Sequence, residues 1–390
     1  MKIAVVCDSF KGSLTSKDAC AAVKDGLLRC NKNFEVLSLP FADGGEGTSR
    51  CFYDILGGQL RKTAVHDPLL REITAEYTVL PDGTAVIDIA SASGLTLLKS
   101  SERDAVKVSS LGSGELICDA AEHGAKHIIL GLGGSATTDA GTGILYALGM
   151  RFFSEDGAEV LPDGQNMIRV KKIRRTENFE RFKDIKFTLA CDVTNPLCGE
   201  NGAAYVFSPQ KGASKNDVEL LDDGLRNIGE IFEKASGKKI INLPGAGAAG
   251  GIGGGLSAFL NCELQSGFDV LARAASLEDK IRRSDVVITG EGKTDRQTLF
   301  GKLPKRVSDI AEKFGVPCIL LSGDVENDIS AEKLGVCEIH KIKENGISLE
   351  HCMKNAASLL SERAFAIGKD SKIINKQYSR KQEKMRENER

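Results

Sequence analysis

Two short segments of the chain combine carboxylates with glycines, and each follows a run of residues that predicts a β-strand. Asp43 and Glu46 enclose two glycines, while Glu291 and Asp295 enclose a Gly-Lys-Thr sequence. Carboxylate oxygens in such a loop can hold Mg²⁺ through one or two ligands and leave waters and phosphates to complete the octahedron. Asx turns or helix caps would place the same residue types at strand ends. We predict Asp43 and Glu291 as metal ligands, with a structural turn as the alternative.

A glycine-rich loop at residues 131–139 follows the apolar run 127–130 and precedes a helical pattern. A strand, a glycine loop and a helix N-terminus would direct free N–H groups and the positive end of the helix dipole at an anion. The loop is therefore predicted to bind the phosphates of a nucleotide. The predicted ligands are Gly131, Gly133, Gly134 and Ser135.

The same loop also matches the dinucleotide-binding pattern G-x-G-x-x-A at Gly131, Gly133 and Ala136, with Glu155 and Asp156 about 20 residues further on. A Rossmann-type NAD site is therefore an alternative. The chain contains 42 glycines in 390 residues, so a pattern this short is expected to arise by chance. The match alone does not decide between the two ligands.

A second glycine-rich run covers residues 245–255 and has almost no side chains beyond Cβ. Backbone without side chains can approach a ligand closely, which predicts further phosphate contacts from Gly247, Gly250 and Gly251. Tight packing of a helix or a sheet against this run is the alternative.

Four further residues carry chemistry at predicted loops. Ser9 and Lys11 lie between a strand and a helix, where a hydroxyl and a cation could bind the carboxylate or phosphate of a substrate. Asp192 follows the predicted strand 187–191 and could act as a general base if it is buried, although a turn-initiating aspartate is equally consistent. Lys211, in a Gln-Lys-Gly sequence, is a further candidate substrate ligand.

The elements that must position these residues alternate between strand and helix at both ends of the chain, which predicts an α/β fold with parallel strands. In the middle, alternating runs on either side of Pro81-Asp82-Gly83 predict an antiparallel hairpin. We predict that residues 1–65 and 284–368 form one discontinuous α/β domain, that residues 66–283 form an inserted mixed α+β domain, and that residues 369–390 are a charged, solvated tail.

Composition excludes several classes of protein. The chain has 52 Lys and Arg against 54 Asp and Glu, so no strong positive field favours nucleic acid or anionic lipid as a partner. No apolar run approaches the 18 residues of a membrane span. Eleven cysteines without a C-x-x-C pair indicate free thiols in a reducing compartment. The expected location is the cytoplasm, without a membrane or nucleic-acid partner.

Eight motifs in order resemble those of the type 1 glycerate kinase family, from Met1 to about Gly368. The motifs are Asp8-Ser-Phe-Lys-Gly-Ser13, Ala42-Asp-Gly-Gly-Glu-Gly-Thr48, Ala92-Ser-Gly-Leu95, Gly131-Leu-Gly-Gly-Ser-Ala-Thr-Thr-Asp139, Ala190-Cys-Asp-Val-Thr-Asn-Pro196, Pro209-Gln-Lys-Gly-Ala213, Pro244-Gly-Ala-Gly-Ala-Ala-Gly-Gly251 and Thr289-Gly-Glu-Gly292. The resemblance implies a flavodoxin-like outer domain. It also implies ATP- and Mg²⁺-dependent transfer of the γ-phosphoryl group to a hydroxyl of D-glycerate, with 2-phosphoglycerate as the expected product.

Phosphoryl transfer depends on positioning and charge neutralisation, and we assign the candidate residues accordingly. Asp192 and Lys11 are the predicted catalytic residues, with Asp192 as base, and Ser9, Lys11 and Lys211 are the predicted substrate ligands. The glycines and Ser135 named above are assigned to the nucleotide, and Asp43 and Glu291 to Mg²⁺. An NAD-dependent oxidoreductase of a small hydroxy acid and a non-catalytic sugar-acid sensor remain as alternative functions.

Overall fold

The structure, a computed structural model, describes residues 1–42, 44–344 and 346–388. The chain divides into two compact units, one formed by Met1–Asp43 with Leu271–Arg390 and the other by Gly44–Val270. These bounds differ from the predicted ones at 65/66 and 283/284.

The described residues contain fifteen strands and fifteen α-helices. The strands are β1 Lys2–Cys7, β2 Glu35–Pro40, β3 Gln59–His66, β4 Glu72–Val79, β5 Ala85–Asp88, β6 His127–Gly131, β7 Met150–Phe153, β8 Lys172–Arg175, β9 Lys186–Ala190, β10 Asn261–Gln265, β11 Val286–Gly290, β12 Lys293–Thr294, β13 Cys318–Ser322, β14 Asp324–Val325 and β15 Glu338–Lys341. The helices are α1 Ser16–Cys30, α2 Thr48–Leu56, α3 Ala90–Ser93, α4 Leu111–Glu122, α5 Thr142–Ala147, α6 Ala203–Phe207, α7 Lys215–Ser236, α8 Ala248–Phe259, α9 Gly267–Ala274, α10 Leu277–Arg282, α11 Leu303–Lys313, α12 Ala331–Leu334, α13 Leu349–Lys354, α14 Ala356–Asp370 and α15 Lys372–Asn388.

The first unit is built on a five-stranded sheet with the order β15-β13-β11-β1-β2, in which all neighbours are parallel. Counted within the unit, this is the 2-1-3-4-5 order of flavodoxin-like folds, which confirms the predicted fold class. The central strands β1 and β11 are apolar and buried, as strands covered on both faces by helices must be. In this topology, β1 and β11 flank the point where the strand order reverses, and ligands bind at their carboxyl ends.

Helix α1 shows how local sequence sets an element of the first unit. The Thr15 side chain accepts a hydrogen bond from the backbone N–H of Asp18, the N-cap that the sequence predicts. The helix then buries the apolar face predicted from its period, with Val23 and Leu27 fully enclosed. Gly26 lets α14 approach closely, because a Cβ there would lie 2.0 Å from the carbonyl oxygen of Ser361.

The second unit contains a six-stranded mixed sheet with the order β10-β9-β6-β5-β4-β3. The hairpin expected around residues 81–83 is present, since β4 and β5 are antiparallel. Strands β5, β6, β9 and β10 are parallel neighbours, however, so the expectation of antiparallel structure holds for only one half of the sheet. The segment 44–65 belongs to this unit because β3 pairs with β4 along its whole length.

Residues 372–388 of the segment predicted as a solvated tail form the helix α15, which packs against other elements of the first unit. Ile374 is buried, and Tyr378 meets Phe34 edge to face with ring centroids 5.9 Å apart. Lys381 Nζ lies 2.7 Å from Asp285 Oδ2. Within the described part of the chain, no helix combines the length and the apolar composition needed to cross a membrane.

Candidate active site

The predicted phosphate loop lies at the carboxyl edge of the sheet in the second unit. Gly131 ends β6 and pairs with Asp88 of β5 on one side and with Ala190 of β9 on the other. Beyond the strand, Leu132 N donates to Ala190 O at 3.1 Å and Gly133 N donates to Gly44 O at 3.1 Å. The edge therefore brings together the segments 44–49, 131–135 and 190–192, as expected of a ligand site in a sheet with parallel strands.

Glycine is required in the loop because two other segments lie against it. A Cβ on Gly133 would lie 2.5 Å from Gly45 Cα, a distance shorter than real Cβ atoms show to other heavy atoms. Gly134 has φ of +79°, a region that disfavours other residues, and its carbonyl oxygen accepts from Leu95 N at 2.9 Å. The loop is thus held from both sides, while Gly134 itself is exposed.

The connection from the loop to the next helix differs from the expectation. Helix α5 begins only at Thr142, and its first N–H groups are already engaged: Gly141 N and Gly143 N donate to the buried carboxylate of Asp139 at 3.1 and 3.3 Å. Ser110 donates to the same carboxylate through its backbone N–H and its hydroxyl. The helix N-terminus is therefore occupied by a protein carboxylate, and any anion would be bound by the loop itself.

The same geometry is unfavourable for an NAD site. In the dinucleotide-binding motif the helix opens within the glycine pattern, but here it opens six residues after Ala136. Glu155 and Asp156, the acidic pair expected to hold a ribose, are exposed and lie in a turn closed by a hydrogen bond from Ser154 N to Ala158 O. The Rossmann interpretation of the sequence pattern is wrong.

A buried lysine lies behind the loop. Lys211, at the end of a 3₁₀ turn formed by residues 209–211, is only 3% exposed. Its Nζ donates to Ser135 Oγ at 2.9 Å and to the carbonyl oxygen of Thr137 at 2.7 Å. Burial lowers the pKa of Lys211 to about 7, while the charge of Asp139 acts in the opposite direction. Lys211 supports the loop from within the protein, and a direct contact with substrate stays a prediction.

Asp88 is a functional candidate that sequence reasoning missed. It ends β5, is 5% exposed, and accepts hydrogen bonds from Gly47 N and Ser49 N, each at 2.9 Å. Burial raises the pKa of Asp88 to about 7 against the effect of these two donors. Asp88 thereby fixes the segment 44–49 beside Gly131. The sequence signal that could have identified Asp88 is its place directly after the apolar run 85–87, at the end of a predicted strand.

An Asp88→Asn variant tests this position through the pH dependence of stability. The folded-state pKa of about 7 lies above the ordinary value of 3.8, so the folded chain binds more protons than the unfolded chain between these values and loses stability as the pH rises. The stability of wild type relative to Asp88→Asn should therefore fall by about 2–4 kcal/mol from pH 4 to pH 8. Urea unfolding followed by circular dichroism measures it, because the chain has no tryptophan. A difference that does not change with pH would contradict this environment for Asp88.

The run 245–255 packs against the segments around Asn195 and Thr137. Gly247 N donates to Asn195 O at 3.0 Å, and a Cβ on Gly250 would lie 2.0 Å from the carbonyl oxygen of Thr137. Gly247, Gly250 and Gly251 are all buried. These contacts support the packing interpretation of the glycines, and their direct contact with phosphate stays a prediction.

Asp192 is exposed, whereas its predicted role as a base assumed a buried side chain.

In the first unit, Ser9 and Lys11 lie in the loop after β1, beside the loop after β11. Asp8 N donates to Gly290 O at 2.9 Å, and a Cβ on Gly292 would lie 3.1 Å from Phe10 Cα. Lys11 is exposed and Ser9 is half-buried. Both residues therefore occupy the strand-order reversal where a ligand of this fold binds.

Glu291 follows β11 at the same place and is mostly buried. Its Oε1 accepts from Thr298 Oγ1 at 2.6 Å, and burial raises the pKa of its carboxyl group above the usual range. The described residues include no group of three or more His, Cys, Asp or Glu side chains suited to a metal. Asp43, the other predicted ligand, lies outside the described residues. A single carboxylate with phosphate and water oxygens matches the way Mg²⁺ is usually bound.

Comparison with known proteins gives one consistent result. The sequence matches the profile of the Glycerate kinase family over residues 3–372. It is 38% identical to a glycerate kinase of Halalkalibacterium halodurans over 93% of this chain and 96% of that protein, and 40% identical to a glycerate 2-kinase of Escherichia coli over 84% and 87%. A crystal structure described as that of a glycerate kinase 2 from Salmonella typhimurium LT2 superposes with a TM-score of 0.84 at 35% identity, covering 95% of this chain and 97% of that one.

Proposed function

The chain belongs to the glycerate kinase family, and on this premise we propose that it transfers the γ-phosphoryl group of ATP to a hydroxyl of D-glycerate and forms 2-phosphoglycerate. The observation that carries the proposal is the glycine loop at the carboxyl edge of parallel strands, with the amino group of Lys211 behind it. Phosphoryl transfer needs charge neutralisation and exact positioning of phosphates, and such a loop provides both.

We assign the nucleotide phosphates to Gly131, Gly133, Gly134 and Ser135. The N–H of Gly133 is already used by Gly44 O, so exposed Gly134 and the Ser135 hydroxyl are the strongest candidates for direct contact. Gly247, Gly250 and Gly251 are proposed as further ligands of the nucleotide phosphates. Gly250 also packs on the backbone of Thr137, two residues beyond Ser135.

We assign Ser9 and Lys11 to the glycerate molecule. Lys11 supplies a cation for the carboxylate of the substrate and Ser9 a hydroxyl for its oxygen atoms. Asp192 is proposed as the base that accepts the proton of the attacking hydroxyl.

Glu291 and Asp43 are proposed to hold Mg²⁺, which would neutralise charge on the transferred phosphoryl group when bound. The fit rests on Glu291, whose buried carboxyl group follows β11 at the carboxyl edge of the sheet and is oriented by the Thr298 hydroxyl. Oxygen ligands of this kind are those that Mg²⁺ prefers.

Two measurements on the full chain test the function. D-glycerate and ATP should give ADP in a coupled assay with a turnover number in the usual range of about 1–10³ s⁻¹, and NAD should not be reduced. Proton NMR should show phosphorus coupled to the single C2 proton of the product. Coupling to the two C3 protons would mean 3-phosphoglycerate, and binding of D-glycerate without ADP formation would favour the sensor function instead.

We propose the cytoplasm as the location of the enzyme. All eleven cysteines carry free thiols, which fits a reducing compartment in which ATP is also supplied.

A further inference from the structure

The amino group of Lys211 has an unusual environment for a buried cation. The ion pairs of the described residues include none with Lys211, and its two hydrogen-bond acceptors, Ser135 Oγ and Thr137 O, are neutral. A buried charge without a partner costs several kcal/mol. In the free chain, burial therefore favours the neutral amine of Lys211, and an anion nearby would favour the ammonium form.

The charged groups around Lys211 do not supply that anion. Asp139 acts on it through space, but its carboxylate is already surrounded by donors from Ser110 and from Gly141 and Gly143. Helix α6 packs on the Lys211 turn. It has no charged residue, and its one titratable side chain, Tyr205, is exposed. On the other side, Gly212 lies against the backbone of Arg103. The remaining direction for compensation is the glycine loop.

Ser135 connects the lysine to that loop. When Lys211 is an ammonium it can only donate, so Ser135 Oγ accepts from it and the Ser135 hydroxyl hydrogen must be directed elsewhere. A neutral amine could instead accept this hydrogen. The charge state of Lys211 thus determines whether Ser135 can donate to a ligand. Thr137, whose carbonyl oxygen accepts from Lys211, also has a buried hydroxyl oxygen, Oγ1, with no partner among the described residues.

We propose that Lys211 is a positioning residue whose ammonium form sets the Ser135 hydroxyl to donate to a phosphate group at the glycine loop, so that binding of this phosphate and protonation of Lys211 are coupled. The inference rests on the proposed function, in that it takes residues 131–135 as the nucleotide phosphate site. Lys211 then contributes to phosphate binding from behind the loop, through Ser135.

Proton uptake on binding of ADP to the full chain tests the coupling. At pH 8.0 the phosphates of ADP are ionised, since a phosphate monoester has its second pKa near 6, whereas Lys211, with its pKa of about 7, is mostly neutral. Calorimetric titration in two buffers of different ionisation enthalpy should show uptake of more than about half a proton per ADP. The Lys211→Met variant should show none.

Lys238→Met is the matched control. Lys238 Nζ, like that of Lys211, donates two hydrogen bonds. Its acceptors are the backbone carbonyl oxygens of Ser257 and Leu260, and it lies at the surface of the same unit. This variant should take up as many protons as wild type. Equal uptake in Lys211→Met and wild type, or ADP binding to wild type without uptake, would overturn the coupling and leave the kinase function standing. Absence of ADP binding to wild type would overturn both.

Wild type alone provides a second test if Lys211→Met does not fold. Uptake of about half a proton to one proton by a group with a pKa of about 7 requires the dissociation constant for ADP to rise about three- to tenfold between pH 8 and pH 9. A dissociation constant that stays the same over this range would overturn the coupling. A lysine with a purely structural role would leave the dissociation constant for ADP unchanged over this pH range.

Discussion

Replacing Gly250 by alanine is expected to destabilise the second unit by about 2–5 kcal/mol, the sum of a left-handed backbone strain and an overpacked contact. Gly250 has φ of +69°, and the added Cβ would lie 2.0 Å from the carbonyl oxygen of Thr137. That oxygen is backbone and also accepts from Lys211, so it cannot move without disturbing the loop. Urea unfolding followed by circular dichroism measures the loss.

Gly237→Ala separates the two causes. Gly237 has almost the same backbone conformation, φ of +73°, in the same unit, but no atom lies within 4 Å of the added Cβ. It should cost only about 1–2 kcal/mol, the backbone term alone. If both variants lose equal stability, the contact with Thr137 is not what requires glycine at position 250.

Replacing Asp192 by asparagine is expected to lower kcat by about 10²–10⁴-fold, the usual contribution of a general base, with the KM for glycerate little changed. Asp192 stands two residues beyond Ala190, whose carbonyl oxygen accepts from Leu132 at the start of the glycine loop. The side chain is isosteric in the variant and cannot accept the proton. Steady-state kinetics with D-glycerate and ATP measures both constants.

Glu200→Gln serves as the control for Asp192→Asn, because Glu200 is an exposed acid that follows in the same loop region and has no assigned role. It should keep the wild-type kcat. Wild-type turnover in Asp192→Asn would overturn the assignment of the base. A rise in KM without loss of kcat would indicate instead that Asp192 binds substrate.

Features fixed by neighbouring residues could be predicted from the sequence. The Thr15 cap of α1 and the hairpin turn at residues 81–83 depend on side-chain and backbone chemistry within a few positions, and both are present. The resemblance to a family supplied the flavodoxin-like sheet, which depends on strands more than 200 residues apart. The parallel pairing of β9 with β6 and β10 had no local signal, since a short apolar run does not reveal its partners.

The candidate site was harder to predict for the same reason. The loop at residues 131–135 was recognisable from its glycines, but the roles of Asp88 and Lys211 depend on burial and on partners more than 35 residues away. The sequence pattern also suggested a free helix N-terminus. Asp139 fills it by accepting from Gly141 N and Gly143 N, and Ser110, 29 residues away, holds the Asp139 carboxylate there. Burial is a property of the folded chain, so the charge states that follow from it could only be inferred from the structure.

The insertion of the second unit between β1 and β11 has a consequence for biosynthesis. Strand β1 is made before β11 but lies inside the sheet, between β2 and β11, and β11 begins only at Val286. At about 5–20 residues per second, a ribosome needs on the order of 15–60 s to reach that strand. The inserted unit can fold during this interval, while the exposed edge of β1 awaits its partner. The first unit is thus completed after the second, although its strand β1 is made before any part of the second unit.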